Sequence, residues 1–318
     1  MYRTDHGSTI TAATTVPKEL VHKRAVEEVL LTGWEPTGPD TYRVTARWPR
    51  VRAALAAGGG LYDPMLLVET VRQSFPLLSH AAFDVPLGHH LVWDRFSFAL
   101  VPELLLVDRP ADQDWDDIRL DVVCQDVVRR GNRVCALTLS YMISRAGEPL
   151  ATAQTRFTVQ APAIYRRLRA ERADAAEMMA RAVTPGPPIR AARPDAATSQ
   201  DVALSATDHA RRWQLRVDTS HPVYFDHPVD HVPGALLLDA CRQAAQAIAP
   251  SAPVLAVAME CVFTSYVELD EPCLVEAARL PRDPAGRDRI GVTLHQGPET
   301  ASCSTVVTVV PHPDNPTR

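Results

Sequence analysis

The fragment LLVETVRQSFPLLSH (66–80) is apolar on nearly every side of a helix, apart from a stripe made by Glu69, Arg72 and Gln73. The same pattern returns without gaps in LLLDACRQAAQAIAP (236–250), so Glu69 falls on Asp239, Arg72 on Arg242 and Gln73 on Gln243. Upstream, EVLLTGW from Glu28 matches DVALSAT from Asp201, and each leads into an alternating stretch, TYRVTARWP or WQLRVDTSH. Downstream, the period shifts from that of a helix to that of a strand. HLVWDRFSFAL, IRLDVVCQDVVR, RVCALTLSYMIS and PLATAQTRFTVQ follow the first helix, and AMECVFTSYV, CLVEAARL, RIGVTLHQ and ASCSTVVTVV follow the second. The pattern predicts a duplicated α+β unit of two strands, one long helix and several antiparallel strands. A helix with apolar residues nearly all round needs a wrapping surface, and a curved sheet supplies one.

Between the copies, residues 166–182 predict a surface helix of mixed charge, and the Pro-, Gly- and Ala-rich stretch after it predicts a linker. The expected division is a flexible N-terminus (1–16), a first domain (17–165), a helix and linker (166–199) and a second domain (200–318).

Residues i, i+3 and i+4 share one helix face, so each Glu/Asp-x-x-Arg-Gln stripe forms a single polar patch. An exposed ion pair would account for one such stripe. Its recurrence inside two apolar helices, each behind a proline-containing loop, favours a role lining a cavity, because a buried carboxylate and guanidinium need each other or a polar hollow.

Composition narrows the picture. The 318 residues are 46% hydrophobic, enough for two cores, and the formal net charge of −5 argues against a nucleic-acid backbone as partner. The six cysteines have no CxxC or CxxxH spacing, which predicts reduced thiols and no metal site. No apolar run approaches the length that crosses a bilayer and the first residues lack a signal-like apolar core, so a cytoplasmic protein with no membrane contact is expected. No cofactor is expected.

The loop before the second helix carries the chemistry. FDHPVDHVPGALLLDA resembles the active-site segment of the β-hydroxyacyl carrier-protein dehydratases: His227 matches their loop histidine, Pro233-Gly234 their turn and Asp239 their helical acid. The resemblance implies a tandem double hot-dog fold, with histidine and acid drawn from different units. Three longer stretches, VHKRAVEEVLLTGW, DPMLLVETVRQSFPLLSHAAFDVPLGHHLVW and HPVYFDHPVDHVPGALLLDACRQAA, are similar to the A-factor biosynthesis family of actinomycete γ-butyrolactone autoregulator synthases. That resemblance implies an acyltransferase moving a β-ketoacyl group from acyl carrier protein to the hydroxyl of dihydroxyacetone phosphate, on the way to a butenolide and a signalling lactone. A carrier-bound acyl dehydratase, a thioesterase and a non-catalytic acyl- or lactone-binding regulator are the alternatives. Asp239 departs from the Glu expected in the family.

On this reading His227 faces Glu69 across the pair of units, and either one is the base. The opposite site, around Asp239, lacks a matching histidine and is expected to be degenerate. Backbone N–H groups near Gly234 would hold the oxyanion, and Arg72 would be the first candidate for the phosphate. Lys23, in a basic run (residues 22–24) taken as opening a strand, and Gln73, His89, Arg242 and Gln243 complete the expected substrate contacts. His221 and His231 are expected to be structural hydrogen-bonders, and Trp34, Trp48, Trp93 and Trp213 to pack strands.

Overall fold

The computed structural model describes residues 15–50, 60–107, 115–189, 199–250, 253–297 and 301–312. The first copy contains β1 (Leu31–Gly38), β2 (Thr41–Pro49), α1 (Pro64–Ala81), β3 (His90–Leu100), β4 (Trp115–Arg130), β5 (Arg133–Arg145) and β6 (Glu148–Gln160). Two short helices follow, α2 (Pro162–Arg169) and α3 (Ala175–Ala180). The second copy contains β7 (Leu204–Ala206), β8 (Arg212–Leu215), α4 (Gly234–Ile248), β9 (Val254–Phe263), β10 (Leu274–Leu280), β11 (Asp288–His295) and β12 (Cys303–Pro311).

The strands form one antiparallel 12-stranded sheet in the order β1-β2-β4-β5-β6-β3-β9-β12-β11-β10-β8-β7. The order reads the same from either edge toward the β3–β9 seam, as a duplicated unit requires. At the seam Phe96 pairs with Cys261 and Phe98 with Met259, and all four side chains are buried. Period-two alternation puts Val44, Ala46 and Trp48 of β2 on the inner face, against the helices.

Each central helix is tied to its unit by the stripe glutamine. Gln73 accepts the Leu30 N–H at 2.9 Å and donates to the Glu28 carbonyl and to Glu69, both at 2.8 Å. Gln243 repeats all three bonds: it accepts the Ala203 N–H at 2.9 Å and donates to the Asp201 carbonyl at 2.8 Å and to Asp239 at 2.9 Å. Both glutamines are fully buried. The Glu28/Asp201 alignment is thus a shared hydrogen-bond pattern, not a chance likeness. It corrects the expectation that Gln73 and Gln243 touch substrate, because every polar atom of these amides is held by the protein.

Two further expectations change. The single helix predicted over 166–182 is broken at Ala170, whose φ is +51°. The break follows Arg169, which is buried and bonded to Asp230 and to both oxygens of Glu268, tethering α2 to the second copy. The run 22–24 follows a 3-10 turn (Lys18–Val21) and does not open a strand, and His22 takes the left-handed conformation (φ 53°, ψ 48°). Of the predicted flexible N-terminus, residues 1–14 lie outside the described residues, while Val16 is buried and donates to the Leu31 carbonyl. Residues 190–198 of the predicted linker also lie outside them. No described helix is long and apolar enough to cross a membrane.

Replacing Gln243 by Leu removes three buried hydrogen bonds at roughly constant shape. The expected loss is about 3 kcal/mol in urea unfolding, since an orphaned buried polar group costs about 1–3 kcal/mol. A change within error would show that the clamp is dispensable.

Candidate active site

A cavity of roughly 1240 Å³ is lined by both copies. Its wall includes Glu69, Arg72 and Phe75 of α1, the turn carrying Lys18, His22, Lys23 and Arg24, the start of β3, and the second-copy loop that leads into α4. Phe75, Leu91, Trp93, Leu237 and Phe263 give it an apolar interior. Glu69 and His227 therefore share one hollow.

Glu69 is held by four bonds. Arg72 Nε and Nη2 reach its two oxygens at 2.7 and 2.8 Å, Gln73 donates at 2.8 Å, and Lys23 Nζ lies 3.1 Å away. Burial alone would raise its pKa, but the Arg72 and Lys23 charges and these hydrogen bonds outweigh it and hold the carboxyl down at about 2. So acidic a group is a poor proton acceptor near neutrality. This counts against Glu69, one of the two base candidates from the sequence.

His227 Nδ1 lies 2.5 Å from Asp226 Oδ1, which leaves Nε2, without a partner among the described residues, as the outward ring nitrogen of a half-exposed imidazole on the cavity wall. The other Asp226 oxygen accepts the Arg24 backbone N–H at 3.0 Å. Burial opposes ionisation of Asp226, but its bonds to His227 and Arg24 and the charge of Lys23 keep its carboxyl below the usual range. Lys23 itself reaches the Val223 carbonyl at 3.4 Å. One continuous path thus links Glu69, Lys23, Arg24, Asp226 and His227 across the two copies.

The N-terminus of α4 lines the same cavity as this imidazole. Pro233 supplies no side-chain cap, and Gly234 and Ala235, whose N–H groups have no carbonyl within the helix to bond, line the cavity. By contrast α1 is capped, Asp63 accepting the Met65 N–H at 2.8 Å. A Cβ on Gly234 would lie 2.6 Å from Trp93 Cε3, so only glycine lets the helix start so close to that ring. Trp93 is stacked on Phe263 and bonded to Thr155, and it lines the cavity as well as packing a strand.

His22 is half-buried beside His80, with their Nε2 atoms 2.8 Å apart, while His80 Nδ1 donates to the Val85 carbonyl. Burial, with the neighbouring His80 and Arg72, pushes the His22 pKa down to about 3, so this ring is a neutral hydrogen-bonding group. A second Asp-His pair on the cavity wall, Asp230 and His231, is 2.7 Å apart; Tyr165 donates to both Asp230 oxygens at 2.8 Å. His89 also lines the cavity, as does Gln160; His89 Nδ1 and Gln160 Oε1 are sealed from solvent with no hydrogen-bond partner among the described residues. His221 is buried, its Nδ1 accepting the Val223 and Tyr224 N–H groups, which is a structural role.

Residues 5–161 and 189–311 match the family described as the A-factor biosynthesis hotdog domain. The chain belongs to that family. It is 43% identical over 292 residues, 91% of this chain and 96% of the relative, to a 2-oxo-3-(phosphooxy)propyl 3-oxoalkanoate synthase of Streptomyces virginiae. A protein of the same description from Streptomyces coelicolor is 36% identical, the match covering 92% of this chain and 91% of that one. Among solved structures, an oleoyl thioesterase from Lactobacillus plantarum superposes with a TM-score of 0.51 at 15% identity, covering 86% of this chain and 97% of that one, a likeness of fold alone. The tandem hot-dog expectation agrees with the family and with the sheet.

In this chain the second stripe is closed off. Asp239 and Arg242 are buried, do not line the cavity, and pair with each other; Tyr224 donates to Asp239 at 3.0 Å and Arg242 reaches Asp63 at 3.8 Å. Asp239 and Arg242 are therefore corrected from expected site residues to internal partners, because their charges are met within the protein. Residues 51–59, near the start of α1, lie outside the described residues. Arg72 does line the cavity, but Glu69 already holds two of its N–H directions, which weakens its claim as first phosphate ligand. Arg24, whose guanidinium has no partner among the described residues, and Lys18 stand beside it on the wall. Sequence reasoning raised Arg24 only as part of the basic run 22–24, a candidate for phosphate or for the carrier's acidic surface, and passed over Lys18 and Asp226; for Asp226 the doubled Asp-His of DHPVDH was the available signal.

Gly234→Ala should destabilise the protein by about 1–3 kcal/mol, the usual scale of overpacking, and shift the emission of Trp93; a silent substitution would show that the close approach is slack. Acid sensitivity follows from two depressed pKa values. Glu69, at about 2 against an ordinary 4.5, contributes stability that is complete above 4.5 and lost as pH falls through 2. His22, at about 3 against 6.5, resists a proton that the unfolded chain accepts, so stability falls with pH from 6.5 toward 3. Urea midpoints measured stepwise should decline over this range, and His22→Asn should flatten the upper part; an unchanged profile in the variant would contradict the assignment.

Proposed function

We propose that the protein transfers a 3-oxoacyl group from a carrier-bound thioester to the hydroxyl of dihydroxyacetone phosphate. The ester so formed is the one named in its relatives' descriptions, and the reading places the protein in the cytoplasm, supplying γ-butyrolactone- or butenolide-type signalling molecules. The observation that carries it is His227, oriented by Asp226, lining the same cavity as an uncapped helix N-terminus, with one apolar and one cationic region in its wall.

In this mechanism His227 Nε2 takes the proton of the acceptor hydroxyl as its oxygen attacks the thioester carbonyl. The Gly234 and Ala235 N–H groups hold the negative oxygen of the tetrahedral intermediate, where the helix dipole adds to the hydrogen bonds. Collapse breaks the C–S bond, and the imidazolium returns its proton to the departing thiolate. Arg24 and Lys18, with the remaining N–H groups of Arg72, meet the acceptor phosphate. Glu69 acts by placement: it fixes Lys23, and through the Arg24 backbone the Asp226–His227 pair. Asp226 holds the imidazole with Nδ1 turned inward, as a carboxylate behind a histidine base does.

The test supplies a 3-oxoacyl thioester with and without dihydroxyacetone phosphate and follows both thiol release and product mass. Acceptor-dependent thiol release with formation of the phosphorylated ester is expected. Release indifferent to the acceptor would mean hydrolysis, and binding without turnover would mean a regulator; either overturns the proposal. His227→Ala should lower kcat by a factor of about 10²–10⁴, the range of positioned acid–base catalysis. Arg24→Ala should chiefly raise KM for the phosphorylated acceptor, by roughly tenfold for the loss of one charge-assisted contact.

A further inference from the structure

Helix α2 divides into two faces. Inward, Tyr165 lines the cavity, stacks on His90 at 3.5 Å and bonds Asp230, and Arg169 is buried against Asp230 and Glu268. Outward, Ile164 and Leu168 are 46% and 62% exposed, one turn apart on the same side, with Arg167 beside them and Arg166 on the flank. The charges there stand out against their surroundings. Arg169, Arg172 and Arg181 are all paired with carboxylates, whereas Arg166 and Arg167 have no ion pair among the described residues. α2 carries three arginines and no acid, and Glu171 follows just beyond it.

We infer that this outer face docks the acyl carrier protein that brings the thioester. The inference rests on the reading that the donor is carrier-bound. A carrier protein is a small acidic helical protein whose thioester rides on a flexible arm, so it must seat beside the cavity and leave the arm free to enter. Two unpaired arginines around two exposed aliphatic side chains form a cationic rim with an apolar centre, the complement of an acidic helix with an apolar ridge. The position suits delivery: Tyr165 on the other face of α2 and Ala173 and Ala175 just beyond it are themselves part of the cavity wall.

The experiment compares one 3-oxoacyl group on two donors, the carrier protein and free pantetheine, for the full chain and for the double variant Arg166→Glu, Arg167→Glu. Binding of the unacylated holo-carrier, followed by fluorescence anisotropy, needs no turnover. The variant should lose about tenfold or more in carrier binding and in kcat/KM for the carrier-borne donor, with a weaker salt dependence, while kcat/KM for the pantetheine donor stays within about twofold. Leu168→Ser should weaken carrier binding without altering salt dependence. Equal losses with both donors, undiminished carrier binding by the variant, or no carrier binding by the unaltered chain would each overturn the docking surface. So would a variant that differs from the unaltered chain only in binding anionic vesicles. Failure of acyl transfer itself would show separately, as absent turnover of the pantetheine donor by the unaltered chain.

Discussion

Burying the Glu69 carboxylate sets the terms for the rest of the site. An ionised carboxyl in a mostly apolar helix must be met by cations and hydrogen bonds, and here Arg72, Gln73 and Lys23 meet it. Lys23 is not on the helix. Drawing its amine to Glu69 fixes the turn that carries residues 22–24, and the next backbone N–H along that turn, Arg24, accepts no freedom of its own because it is given to Asp226. Asp226 in turn orients His227. On the proposed mechanism an acid in the first copy thereby positions an imidazole in the second without touching it, and contributes geometry in place of proton transfer.

The two copies have diverged around one shared frame. The glutamine clamps are the same in both, bond for bond, so the duplicated helix and its tie to the preceding strand remain intact. The helix ends differ. Asp63 caps α1, while α4 begins uncapped at a glycine that lets it approach Trp93, and its free N–H groups face the cavity. The carboxylates differ too: the longer Glu69 reaches a lysine from another segment, whereas the shorter Asp239 is enclosed by Arg242 and Tyr224. One copy's acid and the other's histidine and helix end thus line one cavity, which the proposed function reads as a single composite site.

Much of this was legible in the sequence because periodicity survives duplication. The stripes, the matching strand runs and the Glu28/Asp201 alignment all follow from residue spacing. The function of Gln73 and Gln243 did not, because their partners are backbone groups of a distant segment and carry no side-chain signature. Lys23 was visible only as a basic run, since its burial depends on where the turn folds back. The reading of 166–182 as one surface helix failed at Arg169, whose carboxylate partners Asp230 and Glu268 come from the other copy and turn an apparently solvated residue inward. Asp226 was legible in the Asp-His doublet but lost beside the histidine it orients.

The central claim is that Glu69 and His227 serve one site through one chain of contacts. A double-mutant cycle on acyl transfer tests this most directly, using Glu69→Gln, His227→Ala and their combination in chains shown to be folded. Residues acting as a unit are grossly non-additive, so the double variant should be little slower than His227→Ala alone. If the two losses multiply, the residues act independently and the composite site is contradicted.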